Sequence, residues 1–469
     1  MGGGLLQLVA YGAQDAYISG NPQITFWKGL YKRHTNFAME AFRINFNGEP
    51  NWGTKQTAII NRYADLMFST YVQLELPTND LSNNNPAKWN HGGRDPQAQV
   101  GDDAAGKNNQ YATQQQFVAL GYNFINHVEL DIGGQIIDRL YSEYMFLWSV
   151  LTSEYIKTAK LSDMLSNEKY NPTTLSFSAS VGCSTGFARQ SMPNVLYIPL
   201  MFFFTRNPGT ALPLIALQYH EVKINVFWKT PQEITGDYTV GVQNFPQATS
   251  AALYVDYIYL DTDERRRFAQ QSHEYLIEQV QFNEDVGISS ASQRIDLTFN
   301  HPVKELIWVV QPTCYTNCKS TPKVARDSNN TPNNGSYPGA FVTGGDKRLL
   351  PFVYDQPAVF EQLLQINGQD RLERRYGDYF NKVQPFQHHT GMAAGPGVYC
   401  YSFAVKPEEH QPSGTCNFSR IDTATLVLTM DGSVLVDQGT DDTWDVRVYA
   451  VNYNVLRVMS GMGGLAFSN

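Results

Sequence analysis

The sequence predicts an all-β fold of two tandem eight-stranded antiparallel β-sandwiches, with long loops and short helices. Three observations predict it. Of 469 residues, 27 are Tyr and 26 are Phe, and only 17% are charged. Aromatic side chains suit the pleated, half-buried surface of a strand, and a charged share below the usual ~25% excludes a disordered chain. Short apolar-alternating runs recur with turn residues between them, the period-2 signature of sandwich strands. Finally, a series of landmarks occurs twice in the same order, which marks a duplicated domain.

The elements follow in order. An alternating run Ala41–Phe46 ends at Asn47, and its counterpart ends at Phe282-Asn283, 236 residues later. The run Tyr71–Leu76 stops at Pro77; Leu306–Val310 leads to Pro312, 235 residues after Pro77. Leu130-Asp131-Ile132, Gly133-Gly134 and Gln135-Ile136-Ile137 read as a hairpin, because both central positions of a type I′ turn need positive φ. Leu364-Gln365-Ile366 and Asn367-Gly368 repeat that hairpin 234 residues on. A helical spacing follows each: Leu140, Tyr144, Leu147 and Trp148 in the first copy, Leu372, Tyr376, Tyr379 and Phe380 in the second. Pro208/Pro213 precede the run Leu214–Trp228, and Pro407/Pro412 precede Cys416–Met430. Further strands are expected at Val222–Phe227, Ile295–Phe299 and Thr425–Thr429, and the copies close with Tyr254–Leu260 and Tyr449–Leu456. The first copy carries roughly 35 extra residues in the polar stretch Lys157–Asn194, which has the composition of a long loop. Thr78–Gln116 and Cys318–Lys347 are also too polar and irregular to build a core. Eight strands plus such loops fit a jelly roll in each copy.

Composition also limits function. A net charge of −9 disfavours a surface that neutralises phosphates, so no direct nucleic-acid partner is expected. No secretory signal peptide is visible, and MGGGLL lacks the Ser or Thr that myristoylation requires at its sixth position. The longest apolar stretch, Leu196–Phe204, is too short to span a bilayer. Five cysteines, Cys183, Cys314, Cys318, Cys400 and Cys416, are an odd number in a large chain and read as free thiols in a reducing compartment.

No catalytic, cofactor-binding or metal-ligating set is expected. His127, His220, His273 and His301 stand singly in apolar or strand-like runs and read as packed or surface histidines. His388 and His389 are adjacent and cannot share one face as a ligand pair. Cys314 and Cys318 lack a partner pair at zinc spacing. There is no G-x-S-x-G, HExxH or P-loop sequence. Asp437–Asp445 reads as a solvated acidic loop without the Gly and Glu of an EF-hand. Asp261–Arg267 reads as a linker whose three arginines pair with the acids beside them. The sequons at Asn329, Asn334 and Asn417 mean little without a secretory route.

Nine blocks then carry a resemblance: Gly3–Phe26, Tyr31–Phe37, Phe202–Val222, Val255–Gln270, His273–Gln279, Asn367–Asp370, Tyr379–Pro385, Gln411–Asp422 and Asn452–Leu465. Together they strongly resemble the major capsid proteins of nucleocytoplasmic large DNA viruses of phycodnavirus, marseillevirus and iridovirus type. They cover both halves and both ends, and the departures fall in the three long loops. The resemblance implies a double jelly roll and a structural protein, not an enzyme, with no cofactor. It implies a homotrimer forming a pseudo-hexameric capsomer that tiles an icosahedral shell beside neighbouring capsomers, minor capsid proteins and penton proteins. An inner viral membrane would lie nearby without transmembrane insertion, glycans could decorate the loops, and the virion would assemble in the host cytoplasm. The expected division is an N-terminal arm at 1–26, a first roll at 27–261, a linker at 262–272 and a second roll at 273–469. Two other classes compete: a carbohydrate-binding β-sandwich, and a glycoside hydrolase, which needs two carboxylates on one cleft, with Asp131 and Asp138 as candidates.

Overall fold

The computed structural model describes residues 3–27, 29, 31–76, 120–154, 157, 160–161, 164–165, 194–230, 233, 247–312, 359–391, 397–430 and 443–467. The loops Thr78–Gln116 and Cys318–Lys347, most of Lys157–Asn194, and Cys183, Cys314, Cys318, Asn329 and Asn334 lie outside the described residues. Residues 1–38 form one unit and residues 39–469 another.

The first unit carries two short helices, Gly3–Val9 and Ala16–Ser19, in which no residue is buried. GGLLQLV winds into a helix because Leu and Gln are good helix formers and outweigh the two glycines.

The second unit holds two sandwiches. The first comprises β1 (Phe37–Asn45), β2 (Lys55–Ile60), β3 (Leu66–Leu76), β4 (Ile125–Ile132), β5 (Gln135–Tyr141), β6 (Asn194–Pro199), β7 (Leu212–Pro213), β8 (Val222–Trp228) and β9 (Ser250–Leu260). The second comprises β10 (His273–Ile288), β11 (Ser292–Asp296), β12 (Pro302–Pro312), β13 (Val359–Ile366), β14 (Gln369–Asp370), β15 (Arg375–Tyr376), β16 (Val398–Ser402), β17 (Cys416–Asn417), β18 (Ala424–Met430), β19 (Trp444–Met459) and β20 (Met462–Leu465). The sheets of the first run β1-β9-β3-β6 and β2-β8-β4-β5; those of the second run β10-β19-β12-β16 and β11-β18-β13-β14. Strand for strand, the two orders are the same. Each sandwich is a jelly roll, and the short strands β7, β15, β17 and β20 are additions at sheet margins.

Both hairpins form where the turn residues place them. Gly133 and Gly134 have φ of 62° and 88°, and Asn367 and Gly368 have 50° and 73°. The helix after the first hairpin, Ser142–Thr152, is almost wholly buried. After the second hairpin the helix starts later than expected: Arg375 and Tyr376 pair back onto β13, so helical turns begin at Gly377 and run on through Tyr379–Val383 and Gln384–His388. The expected strand Ile295–Phe299 is shifted too. β11 ends at Asp296, although the Leu297 amide still donates to the Ala424 carbonyl of β18 at 2.8 Å, and Leu297 and Phe299 are buried in the core. The expected linker is the helix Thr262–Gln270, and its Arg265 does not pair locally: its Nε reaches Asp65 at 2.9 Å.

The cores show how the rolls stack. Along β12, Leu306, Trp308 and Val310 point into the second roll's own core, while Ile307 and Val309 join the core of the first. Along β19, Val446, Val448 and Ala450 point one way and Tyr449 and Val451 the other. β12 and β19 are thus covered on both faces, which explains the continuous apolar runs Leu306–Val310 and Val448–Val451. Among the described residues no helix is long and apolar enough to cross a membrane.

Candidate functional site

The region where chemistry-bearing side chains gather is the seam between the two rolls. Its first element is the helix Ser142–Thr152, which projects Glu143 onto β19. Arg447 donates to Glu143 through Nε and Nη2, both at 2.7 Å, and the Tyr449 hydroxyl donates at 2.6 Å. Burial and the Glu143 charge push the Tyr449 phenol well up, so it stays a donor.

A second cluster surrounds Glu278 on β10. Arg206 bonds one carboxylate oxygen at 2.5 Å and the wholly buried Lys304 the other at 2.7 Å. Arg206 also lies over the Trp148 ring, 4.5 Å from its centroid. Burial alone would raise the Glu278 pKa, but the two cations outweigh it and hold the carboxyl below its usual range. Beside it is a cavity of about 150 Å³ lined by Phe203, Arg206, Leu276, Glu278, Glu408 and His410. That is below the ~300 Å³ at which small-molecule sites begin.

A third contact places Asp138 of β5 against β10. Its Oδ1 accepts from the Val280 and Arg139 amides at 3.2 and 2.9 Å. Burial dominates and pushes the pKa up to about 7. Gln279 donates to the Ile137 carbonyl alongside.

The fourth cluster is Glu305, His389, Cys400 and Glu408. Diagonal positions on β12 and β16 set Glu305 and Cys400 on the face toward the first roll, since Ile307 pairs with Cys400 and Glu305 with Ser402. His389, just past the helix Gln384–His388, meets Glu305 through Nε2 at 2.5 Å and Glu408 through Nδ1 at 3.0 Å. Burial opposes a charged ring, but Glu305 and its other partners outweigh it and push the His389 pKa up to about 12. Burial pushes the Cys400 thiol up to about 11. One donor atom each from Glu305, His389 and Cys400 lies within 4.8 Å of the others, a set able to hold a metal ion.

The residues singled out in the sequence are scattered and structural. His127 stacks on Phe227 at 4.1 Å, His220 bonds the Gly463 carbonyl at 2.9 Å and His273 the Phe268 carbonyl at 2.9 Å. The His301 amide donates to Ser419 at 2.7 Å. His388 turns to the Val405 carbonyl at 3.1 Å, away from His389's partners. Asp131 holds the hairpin by accepting from the Gly134 amide at 2.7 Å, while Asp138 faces the seam, so the two do not flank an open cleft. Of the acidic loop Asp437–Asp445, expected to be solvated, the first six positions lie outside the described residues, and Asp445 is buried, accepting from the Gly287 amide at 3.0 Å. Cys400 and Cys416 are free thiols. Glu143, Arg206, Glu278, Lys304, Glu305 and Glu408 went unseen, because their partners are distant in sequence and no local spacing announces them.

Two like jelly rolls locked by a closed polar seam define a double jelly roll built for architecture rather than catalysis. The comparisons identify which. Residues 264–464 match the family described as large eukaryotic DNA virus major capsid protein, and residues 25–95 and 96–261 match the major capsid protein N-terminus. The chain is 43% identical to the major capsid protein of Pyramimonas orientalis virus and 42% identical to that of Phaeocystis pouchetii virus, each comparison covering 100% of both chains. A chain of the PBCV-1 virus capsid superposes with a TM-score of 0.69 at 33% identity, covering 95% of this chain and 100% of that one. The chain belongs to the large eukaryotic DNA virus major capsid protein family. It is a structural protein of the capsid shell of the virion, not an enzyme.

Proposed function

We propose that three copies of this chain form a pseudo-hexameric capsomer that tiles an icosahedral shell. The observation that carries this reading is an asymmetry between equivalent surfaces. The outer face of β10-β19-β12-β16 is buried on the first roll, whereas the equivalent face of β1-β9-β3-β6 is left half-open, with Tyr71, Gln73, Glu75, Tyr254 and Asp256 partly exposed and Tyr197 more so. If each roll packs its outer sheet on the roll before it, the open face of one chain takes the second roll of the next. Three two-roll chains then close into a ring of six similar edges under threefold symmetry. Tyr71 stacks on Tyr254 at 5.2 Å, supplying a rigid aromatic platform of the type that anchors interfaces.

The same reading divides the chain into an arm at 1–26, rolls at 27–261 and 273–469, and a linker at 262–272. The long segments after β3 and after β12 occupy the same connection in both rolls, so they leave the same end of each, which we assign to the outer surface and to any glycans. The arm would meet minor capsid or penton proteins on the inner side, near an inner membrane it does not cross and without direct contact to nucleic acid. Assembly would take place in the host cytoplasm. Light scattering on the purified chain should give three times the chain mass, and electron micrographs should show hexagonal blocks. Tyr71→Arg with Tyr254→Arg should give folded monomers; a double variant that still trimerises would remove this face from the interface, and a stable wild-type monomer would overturn the trimer.

A further inference from the structure

We propose that Glu305, His389 and Cys400 form a structural zinc site that clasps the second roll to the first, with Glu408 orienting the histidine. Imidazole, thiolate and carboxylate together are the donor set of Zn²⁺, and a structural site is closed to solvent. Here Glu305 and the His389 side chain are fully buried and Cys400 is 1% exposed. The donor atoms lie within 4.8 Å of one another, and the 2.5 Å hydrogen bond between Nε2 and Oε1 would open to the roughly 3.3 Å that two ligands of one zinc keep.

Two further observations point to a ligand. Glu305 Oε2 is buried and has no hydrogen-bond partner, although it belongs to a carboxylate with no exposure. An orphaned buried carboxylate oxygen is costly unless something pairs with it. It sits on the same carboxylate that meets Nε2, so Glu305, His389 and Cys400 can each supply a ligand atom to one ion. The second is the far side of the ring: Nδ1 donates to Glu408 Oε1 at 3.0 Å. Metal-bound histidines are held by such a carboxylate on their other nitrogen. Glu408 is itself fixed by the Thr390 amide at 2.9 Å and the Thr390 hydroxyl at 2.7 Å.

The position gives the ion a task. Thr390 Oγ1 also lies 3.1 Å from the Thr152 carbonyl oxygen, and the Gly391 amide donates to the Leu151 carbonyl at 2.7 Å, so the segment beyond His389 is tied to the end of the first roll's helix. A Cβ on Gly391 would stand 2.2 Å from the Val150 carbonyl oxygen, so the approach tolerates only glycine. On binding, the imidazole gives up its Nε2 proton and Cys400 its thiol proton, while the Nδ1 proton stays on the bond to Glu408.

The full-length protein, produced with zinc present and dialysed against metal-free buffer, should retain about one zinc per chain by elemental analysis. With cobalt in place of zinc it should show a thiolate-to-cobalt charge-transfer band. Cys400→Ser should lose the band and most of the metal, and Glu408→Gln should weaken zinc binding by roughly 10–100-fold. His388→Gln, next in sequence but turned away, should keep both. Should Cys400→Ser fail to fold, wild-type stoichiometry and the cobalt band still decide. Folded wild-type protein without zinc and without the band, or undiminished metal in Cys400→Ser, would overturn the site and leave a buried histidine–glutamate ion pair.

Discussion

The two rolls share a strand order but not an environment. The outer sheet of the second is buried on the first and presents Glu305, Ile307 and Val309 to it, whereas the outer sheet of the first presents Tyr71, Gln73 and Glu75 to solvent. One topology therefore supports two surfaces of opposite character. The contact made within the chain forms on folding and can be apolar with a polar clasp. A contact made between folded chains must remain soluble before it is used, and a half-exposed tyrosine platform edged with Gln and Glu meets that demand.

The strongest way to break the comparison is to cut the seam. Glu143→Ala leaves Arg447 charged and buried with its carboxylate gone, and truncating one partner of a buried pair costs about 3–5 kcal/mol. Chemical unfolding should show that loss, and Glu143→Met combined with Arg447→Leu should recover much of it. Equal losses in the single and double variants would mean that the cost is the lost ion pair itself and not a charge left buried without its partner.

A somewhat smaller effect runs the other way. Asp138 is buried, and its pKa is raised to about 7 against an ordinary value of 3.8. Between those values the folded state binds more protons than the unfolded one, so stability falls as pH rises through this window. Asp138→Asn keeps an acceptor for the Val280 amide without the charge. It should stabilise the protein by about 2–4 kcal/mol above pH 7 and by little near pH 4, flattening the melting temperature against pH. An unchanged pH profile would show that the seam carries no carboxylate that resists ionisation.

These two regions also explain what the sequence could and could not reveal. Hairpins, closing strands and the repeat were legible because turn residues and alternation are local signals: Gly133-Gly134 and Asn367-Gly368 need no tertiary information to be read. The seam was not legible. Glu143 and Arg447 are 304 residues apart, and Glu305, His389 and Cys400 converge only once β12, β16 and a helix end are in place. The second helix was misplaced because β15 captured Arg375 and Tyr376 for the sheet, a long-range pairing that overrides helical spacing. Arg265 chose Asp65 over its acidic neighbours for the same reason.

The hairpins sharpen the comparison on a smaller scale. Both turns have positive φ, so alanine is strained in either. A Cβ on Gly133 would also stand 2.5 Å from the His220 ring, which the Gly463 carbonyl holds from behind, whereas a Cβ on Gly368 meets nothing within 4 Å. Gly368→Ala should cost about 1 kcal/mol and Gly133→Ala some 1–3 kcal/mol more. Equal melting temperatures for the two variants would mean that the first roll's turn is not packed as the geometry requires.

The smallest effect on folding should come from the arm. No residue of its helices Gly3–Val9 and Ala16–Ser19 is buried, and Leu5, Leu6, Leu8, Val9, Tyr11 and Tyr17 are all more than half exposed. Ordering such a segment costs roughly 1–2 kcal/mol per residue in backbone entropy. Burying its leucines and tyrosines returns ~25 cal/mol per Å² only where a partner surface covers them. That balance favours an arm that serves the assembled shell more than the subunit. Deleting residues 2–24 should leave the melting temperature nearly unchanged while closed particles become fewer or misformed, read by calorimetry and electron microscopy in parallel. A deletion that instead lowered the melting temperature by several degrees would make the arm part of the fold. The contrast between a buried seam and an uncovered arm would then have to be redrawn.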